Sequence, residues 1–156
     1  MQRNKIPKIL IIAGSDSGGG AGIQADIKAV TYFKGYAMTA ITAITSQNTK
    51  GVQSIFPLPI DHIESQINSV LEDLNPNVIK TGMLADINVI KMITSKVGEH
   101  KLVVDPVMVA TSGDILVPED CISAIKEMLL PKSFLTTPNL YEAELLSGQK
   151  VNNTEE

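Results

Sequence analysis

At 156 residues the chain is long enough for a single domain with a sizeable core. Its 13 Lys and Arg against 17 Asp and Glu, a formal charge of -4, exclude the clustered basic surface that nucleic acid requires. The lone cysteine, Cys121, excludes an intrachain disulfide and a cysteine-built zinc site and fits a reducing compartment. Arg3, Lys5 and Lys8 precede an apolar run that breaks at Gly14, too early for a secretory core or a membrane span, so a cytoplasmic protein without a membrane partner is expected.

Ile9, Leu10, Ile11 and Ile12 read as a strand buried on both faces. Gly14, Gly18, Gly19, Gly20 and Gly22 follow, a loop whose N–H groups, at a helix N-terminus, can face a polar or anionic ligand. The spacing predicts a helix over residues 22–33 with Ile23, Ile27 and Val30 as its buried stripe and Asp26 on the flank of that stripe. A carboxylate there needs a partner or a ligand, unless it is simply an acid favoured by the helix dipole. Met38 to Thr45 is a second strand, ending in polar Ser46, Gln47 and Asn48. Asp61 and Glu64 form a capping-box signature ahead of Ile63, Ile67, Val70, Leu71 and Leu74 at helical spacing, and Pro76 stops that helix.

Val78 to Thr81 reads as a short strand leading into Gly82, Met83 and Leu84. A helix over Asp86 to Val97 carries Ile87, Ile90, Ile93 and Val97 on one face. Leu102 to Val104 is a strand ending at Asp105-Pro106, and a loop with Ser112-Gly113 follows. Pro118 to Leu129 is helical, with Cys121 in the core pattern of Ile122, Ile125, Met128 and Leu129, and Phe134 to Thr137 is the last strand. Asn139 and Glu142, three residues apart, match a capping box.

Strands alternating with helices of about ten residues argue for βαβ units and a mostly parallel sheet with helices on both faces. Ligands of such sheets bind outside the carboxyl ends of the strands. The glycine loop, Gln47-Asn48, Gly82-Met83, Asp105 and Asn139 all follow predicted strands, so they can converge on one rim. On that rim Asp105 can hold a metal or merely form an Asp-Pro turn. Glu142 can orient a hydrated Mg²⁺ as well as complete its cap. Met83 is placed to pack on a flat apolar ring, whereas His62 and His100 read as surface residues.

The motifs AGSDSGGGAGIQAD, SQNTKGVQS, KTGML, VDPVMVATSGD and TPNLYEAELL, in order and spacing, resemble the hydroxymethylpyrimidine/phosphomethylpyrimidine kinases of thiamine biosynthesis. The resemblance implies a ribokinase-like, three-layer α/β/α fold with a mostly parallel sheet, here one domain over residues 1–156 that is incomplete at its C-terminus and lacks the C-terminal strands. It also implies ATP-dependent, Mg²⁺-assisted phosphorylation of 4-amino-5-hydroxymethyl-2-methylpyrimidine and then of its monophosphate. By similarity Gly14, Ala21, Asp26, Gln47, Met83 and Val107 line the pyrimidine pocket, with Asp26 hydrogen-bonding the aminopyrimidine edge and Gln47 assisting. Asp105, Asn139 and Glu142 lie toward Mg²⁺ and the ATP phosphates, Asp105 and Glu142 as metal ligands partly through water.

Two departures accompany the resemblance. Thr111 stands where many relatives carry a lysine, and the GTGC or GTGD-like motif with the family's catalytic base and anion-hole amides is absent, so no catalytic residue is assigned within the chain. Little activity is expected of the chain alone. A separate C-terminal fragment could restore it, and an open sheet edge favours a homo-oligomer or other self-association. A non-catalytic pyrimidine-binding remnant and a pyridoxal-type kinase are the competing expectations.

Overall fold

The computed structural model describes residues 6–108 and 116–151. Arg3, Lys5, Thr111, Ser112 and Gly113 lie outside the described residues. The elements run β1 (Lys8–Asp16), α1 (Gly22–Tyr32), β2 (Tyr36–Asn48), β3 (Gly51–Pro57), α2 (Ile60–Asp73), β4 (Val78–Thr81), α3 (Ile87–Lys96), β5 (Lys101–Val104), α4 (Glu119–Ala124), β6 (Leu135–Thr136) and α5 (Leu140–Ser147). The strands form a six-stranded sheet in the order β3-β2-β1-β4-β5-β6, parallel throughout except for the antiparallel β2–β3 pair.

The sheet is central because its middle strands are apolar on both faces. Leu10 and Ile12 of β1, Ile79 of β4, and Leu102 and Val104 of β5 pack with Ile63 and Ile67 of α2, Ile90 and Ile93 of α3, and Cys121 of α4. On the opposite face Ile11 and Ala13 meet Ile23 of α1, with Ile9, Val30, Ala37 and Ile41 around them. This is the three-layer arrangement the periodicity predicts. The chain steps from β1 through α1 to β2 on one side, then from β3 through α2 to β4 on the other. The strand order therefore reverses between β1 and β4, where a parallel sheet opens a crevice at its carboxyl end.

Four elements depart from expectation. The polar run Asn48 to Gly51 is the turn of a hairpin, with Asn48 paired to Gly51, Lys50 N–H donating to Asn48 Oδ1 at 2.8 Å, and Gly51 at a φ of 143° that suits glycine. The edge strand β3 escapes pattern reading because most of its residues are exposed, so it carries no apolar alternation. In α2 the helix begins at Ile60 after Pro59, whose preset φ starts it early. Asp61 makes no cap bond and Glu64 pairs instead with Lys96 of α3 at 2.8 Å. In α1 the stripe is narrower than predicted: Ile23 is buried but Ile27 is 37% exposed. After α4 the helix continues as a π-helical turn over Ile125–Leu129 and a 3-10 turn over Leu130–Lys132 containing Pro131, rather than as one α-helix to Leu129.

Asp86 caps α3 by accepting from Asn88 N–H at 2.6 Å, and Asn139 and Glu142 form the complete reciprocal box at the start of α5. His62 is exposed as expected, whereas His100, also expected at the surface, is half-buried because its Nδ1 lies 2.9 Å from the Val97 carbonyl oxygen. Leu102→Ala, which empties a fully buried position, should lower the unfolding free energy by about 2–5 kcal/mol. Ile27→Ala should change it by about 1 kcal/mol or less. Urea titration of both variants measures the contrast, and equal losses would contradict this assignment of the core.

Candidate functional site

The loop between β1 and α1 folds inward around Asp16. Gly18 N–H donates to Asp16 Oδ1 at 2.7 Å, Gly20 and Ala21 N–H donate to Oδ2 at 2.9 and 2.8 Å, and Gly19 N–H donates to the Asp16 carbonyl at 3.0 Å. This corrects the expectation that the glycine amides face a ligand. They are satisfied by a carboxylate from the chain itself, which the helix N-terminus also favours. Asp16 is only 5% exposed. Burial alone pushes its carboxyl up, but the amides of Gly18, Ala21, Gly20 and Gly19 outweigh burial and hold it below the ordinary value of 3.8.

Helix α1 and the strand ends complete the frame. Gln24 accepts from Asp16 N–H at 2.8 Å and donates to Ser15 Oγ at 2.7 Å. Ser17 Oγ donates to the Gln47 carbonyl and accepts from Gln47 N–H, both at 2.8 Å, which ties the loop to the end of β2. Gly22 has a φ of 56°, and a Cβ there would lie 2.4 Å from the Gly14 carbonyl oxygen, so only glycine lets α1 start against the end of β1. A Cβ on Gly14 would come within 2.7 Å of the Met83 terminal methyl, which accounts for the close approach of β1 to the loop after β4.

These constraints leave a cavity of about 250 Å³ at the carboxyl ends of β1, β4 and β5. Gly14, Ala21, Asp26, Gln47, Met83 and Val107 all line it, as does Asp105. Asn139 and Glu142 do not. Glu142, 3% exposed, accepts from Met108 N–H at 3.2 Å through Oε1 and from Asn139 N–H at 2.9 Å through Oε2, so each of its oxygens already serves the backbone. Cys121 is buried, and its burial, followed by the nearby Asp120 and Asp86, pushes its thiol up to about 11, which leaves it protonated and unreactive at neutral pH.

Lys80 and Asp16 were not singled out by sequence, yet both belong to the cavity wall. The Lys80 ammonium donates to Asp26 Oδ2 at 2.8 Å and to Asp105 Oδ2 at 3.0 Å, so the partner that Asp26 requires is a lysine on β4. A signal was present for each. A lysine inside the apolar strand VIKT calls for a carboxylate, and an aspartate followed two and four residues later by glycine is a turn-forming acceptor.

The donor set also bears on a metal. Among the described residues no three His, Cys, Asp or Glu side chains cluster to hold an ion. One cavity carboxylate, Asp105, fits a hydrated Mg²⁺ that takes most of its ligands from water and phosphate oxygens, and does not fit an all-protein cage. No helix of the described residues is long and apolar enough to cross a membrane.

Residues 16–156 match the model of a family described as phosphomethylpyrimidine kinase. The chain is 45% identical over 154 residues to the hydroxymethylpyrimidine/phosphomethylpyrimidine kinase of Bacillus subtilis (strain 168), covering 97% of this chain and 57% of that protein. Among solved structures, the phosphomethylpyrimidine kinase of Clostridium difficile 630 superposes with a TM-score of 0.87 at 42% identity, over 97% of this chain and 66% of that one. The pyridoxal kinase of Staphylococcus aureus in complex with ADP gives 0.86 at 39% identity, over 97% and 56%. The chain thus spans somewhat more than half the length of these relatives.

Asp16→Asn is expected to cost about 1–3 kcal/mol of stability. Because the native pKa of Asp16 is depressed, its contribution is present in full above the ordinary value of 3.8 and is lost as pH falls through the lower native value. Urea titrations at pH 7 and across the acid range should show the gap between wild type and Asp16→Asn constant near neutrality, narrowing once pH drops below 3.8 and closed once it has passed the lower native value. A gap that closes near neutrality would contradict the assignment.

Proposed function

The chain belongs to the phosphomethylpyrimidine kinase family, and on that premise we propose that it carries the substrate-binding part of a cytoplasmic enzyme that phosphorylates 4-amino-5-hydroxymethyl-2-methylpyrimidine and then its monophosphate, with ATP as donor. The observation that carries this reading is convergence: the six residues implied by resemblance to line the pyrimidine pocket meet in one cavity at the switch point of the sheet. A small heterocycle suits a cavity of about 250 Å³ with Met83 on its wall as an apolar surface. Asp26 is the acceptor for the exocyclic amino group, and Gln47, at the end of β2, assists at the same edge.

In the reaction the hydroxymethyl oxygen forms a bond to the γ-phosphorus as the bond to the β-phosphate bridging oxygen breaks. The hydroxyl proton passes to a general base that the family carries in a motif this chain does not contain. Asp105 is the residue that would hold Mg²⁺, while Glu142 and Asn139, engaged with the backbone outside the cavity, would act on the phosphate side only by shaping the start of α5. Bound at Asp105, the ion would neutralise charge on the phosphate oxygens. A missing base costs about 10²–10⁴-fold and a missing anion-hole donor about 10²–10³-fold, so the chain alone should turn over roughly 10⁴–10⁷-fold below a complete enzyme.

A complementing polypeptide has a place to pair. The outer edge of β6 meets no strand among the described residues, and Phe134 just before it and Leu135 within it are more than half exposed. The same edge supports self-association of the chain. A second reading, a pyridoxal-type kinase, is favoured by the near-equal likeness to the Staphylococcus aureus pyridoxal kinase.

Calorimetry with the aminopyrimidine should show binding that Asp26→Asn weakens by about 10- to 100-fold, the effect of losing a charge-assisted hydrogen bond. Tighter binding of pyridoxal in direct competition would select the second reading. An ATP turnover assay on the chain, with and without a polypeptide corresponding to the rest of a relative, should give activity only in the mixture. Brisk phosphorylation by the chain unaided would overturn the division of labour, and a monodisperse monomer would overturn self-association.

A further inference from the structure

We infer that Lys80 is a positioning residue for substrate recognition, acting through Asp26, an inference that rests on the pyrimidine reading above. Three observations carry it. Lys80 stands on β4, which pairs with β1 and β5 through Ile11 and Val103 at its own register position, so its backbone is held from both sides. Its ammonium bridges Asp26, on α1, and Asp105, just beyond β5, at 2.8 and 3.0 Å, with the three side chains only 18%, 23% and 32% exposed. The head group also has room made for it, since a Cβ on Gly82 would approach Lys80 Nζ to 3.4 Å and the Ala13 methyl to 2.9 Å.

A structural ion pair would need only one carboxylate. Here one cation is shared by two acids, and all three line the same cavity, giving the group a net charge of one negative unit facing the ligand space. Lys80 engages Oδ2 of Asp26 and leaves Oδ1, which has no hydrogen-bond partner among the described residues, as the acceptor for a ligand donor. The lysine thereby holds the carboxylate fixed in rotation before the ligand arrives, so the cost of ordering it does not fall on binding. Without the lysine, two acids share one wall with no counter-charge, and Asp26 is free to turn toward water. The ligand that gains from this arrangement is a neutral heterocycle presenting an amino N–H.

The test compares two ligands on the full chain: the 4-amino-5-hydroxymethyl-2-methylpyrimidine and its analogue lacking the 4-amino group, each by calorimetry. Wild type should prefer the amino compound by about 10- to 100-fold. Lys80→Gln should bring that preference to within roughly threefold, and Lys80→Arg, whose forked guanidinium can hold both carboxylates, should restore most of it. The preference is a ratio measured on one protein, so partial unfolding of a variant leaves it intact. In an Asp26→Asn background Lys80→Gln should remove nothing further from the preference.

A preference retained in Lys80→Gln, or one lost additively in the double variant, would overturn the role of Lys80 alone. Wild type that binds neither compound would instead overturn the substrate reading on which this role rests.

Discussion

The capture of Asp16 by its own glycine loop is the interaction on which the site depends. A carboxylate at the end of the central strand gathers the amides of Gly18, Gly20 and Ala21, and Gln24 returns from the helix to take the Asp16 N–H. Together these bonds set where α1 begins and how it leans on β1. Gly22 permits the start and Ile23 seals it against Ile11 and Ala13. Asp26 then falls one turn further along, within reach of the lysine on β4. The glycines serve the ligand indirectly: they shape the wall and orient the helix, while side chains supply the recognition.

This division separates two uses of glycine-rich turns. In a phosphate loop the amides stay open to the anion. Here an internal anion occupies them, and a neutral ring is the ligand best suited to the space above. A net negative Asp26–Lys80–Asp105 group on the same wall argues the same way, because it repels an anion and attracts an N–H donor. Where phosphate oxygens approach, Asp105 requires a cation to mediate, consistent with a hydrated metal rather than direct contact.

What could be seen in the sequence follows from what each residue has to satisfy. Central strands announce themselves through apolar runs buried on both faces, so β1, β2, β4 and β5 and the layers around them were legible. The capping box at Asn139 and Glu142 was legible because its partners lie three residues apart. Edge strand β3 was hidden, since an exposed edge needs no apolar alternation. The cap predicted at Asp61 failed because Pro59 starts the helix earlier and because Glu64 has a partner 32 residues away in sequence, Lys96, that no local pattern encodes. Lys80 was missed for the same reason: its two acids lie 54 and 25 residues distant in sequence. The six pocket residues were named through family likeness, and the geometry that unites them is a property of the sheet's reversal between β1 and β4.

Cys121 lends the molecule a built-in clock. It is the chain's single thiol, it is sealed in the core where α4 packs on α3, and its proton is held tightly. A thiol-specific dye therefore cannot react with the native packing and must wait for the layer to lift. The pace of labelling then counts excursions to an open form, so any molecule that rests in the cavity, whose wall does not include Cys121, and steadies the fold would be read out as slower staining.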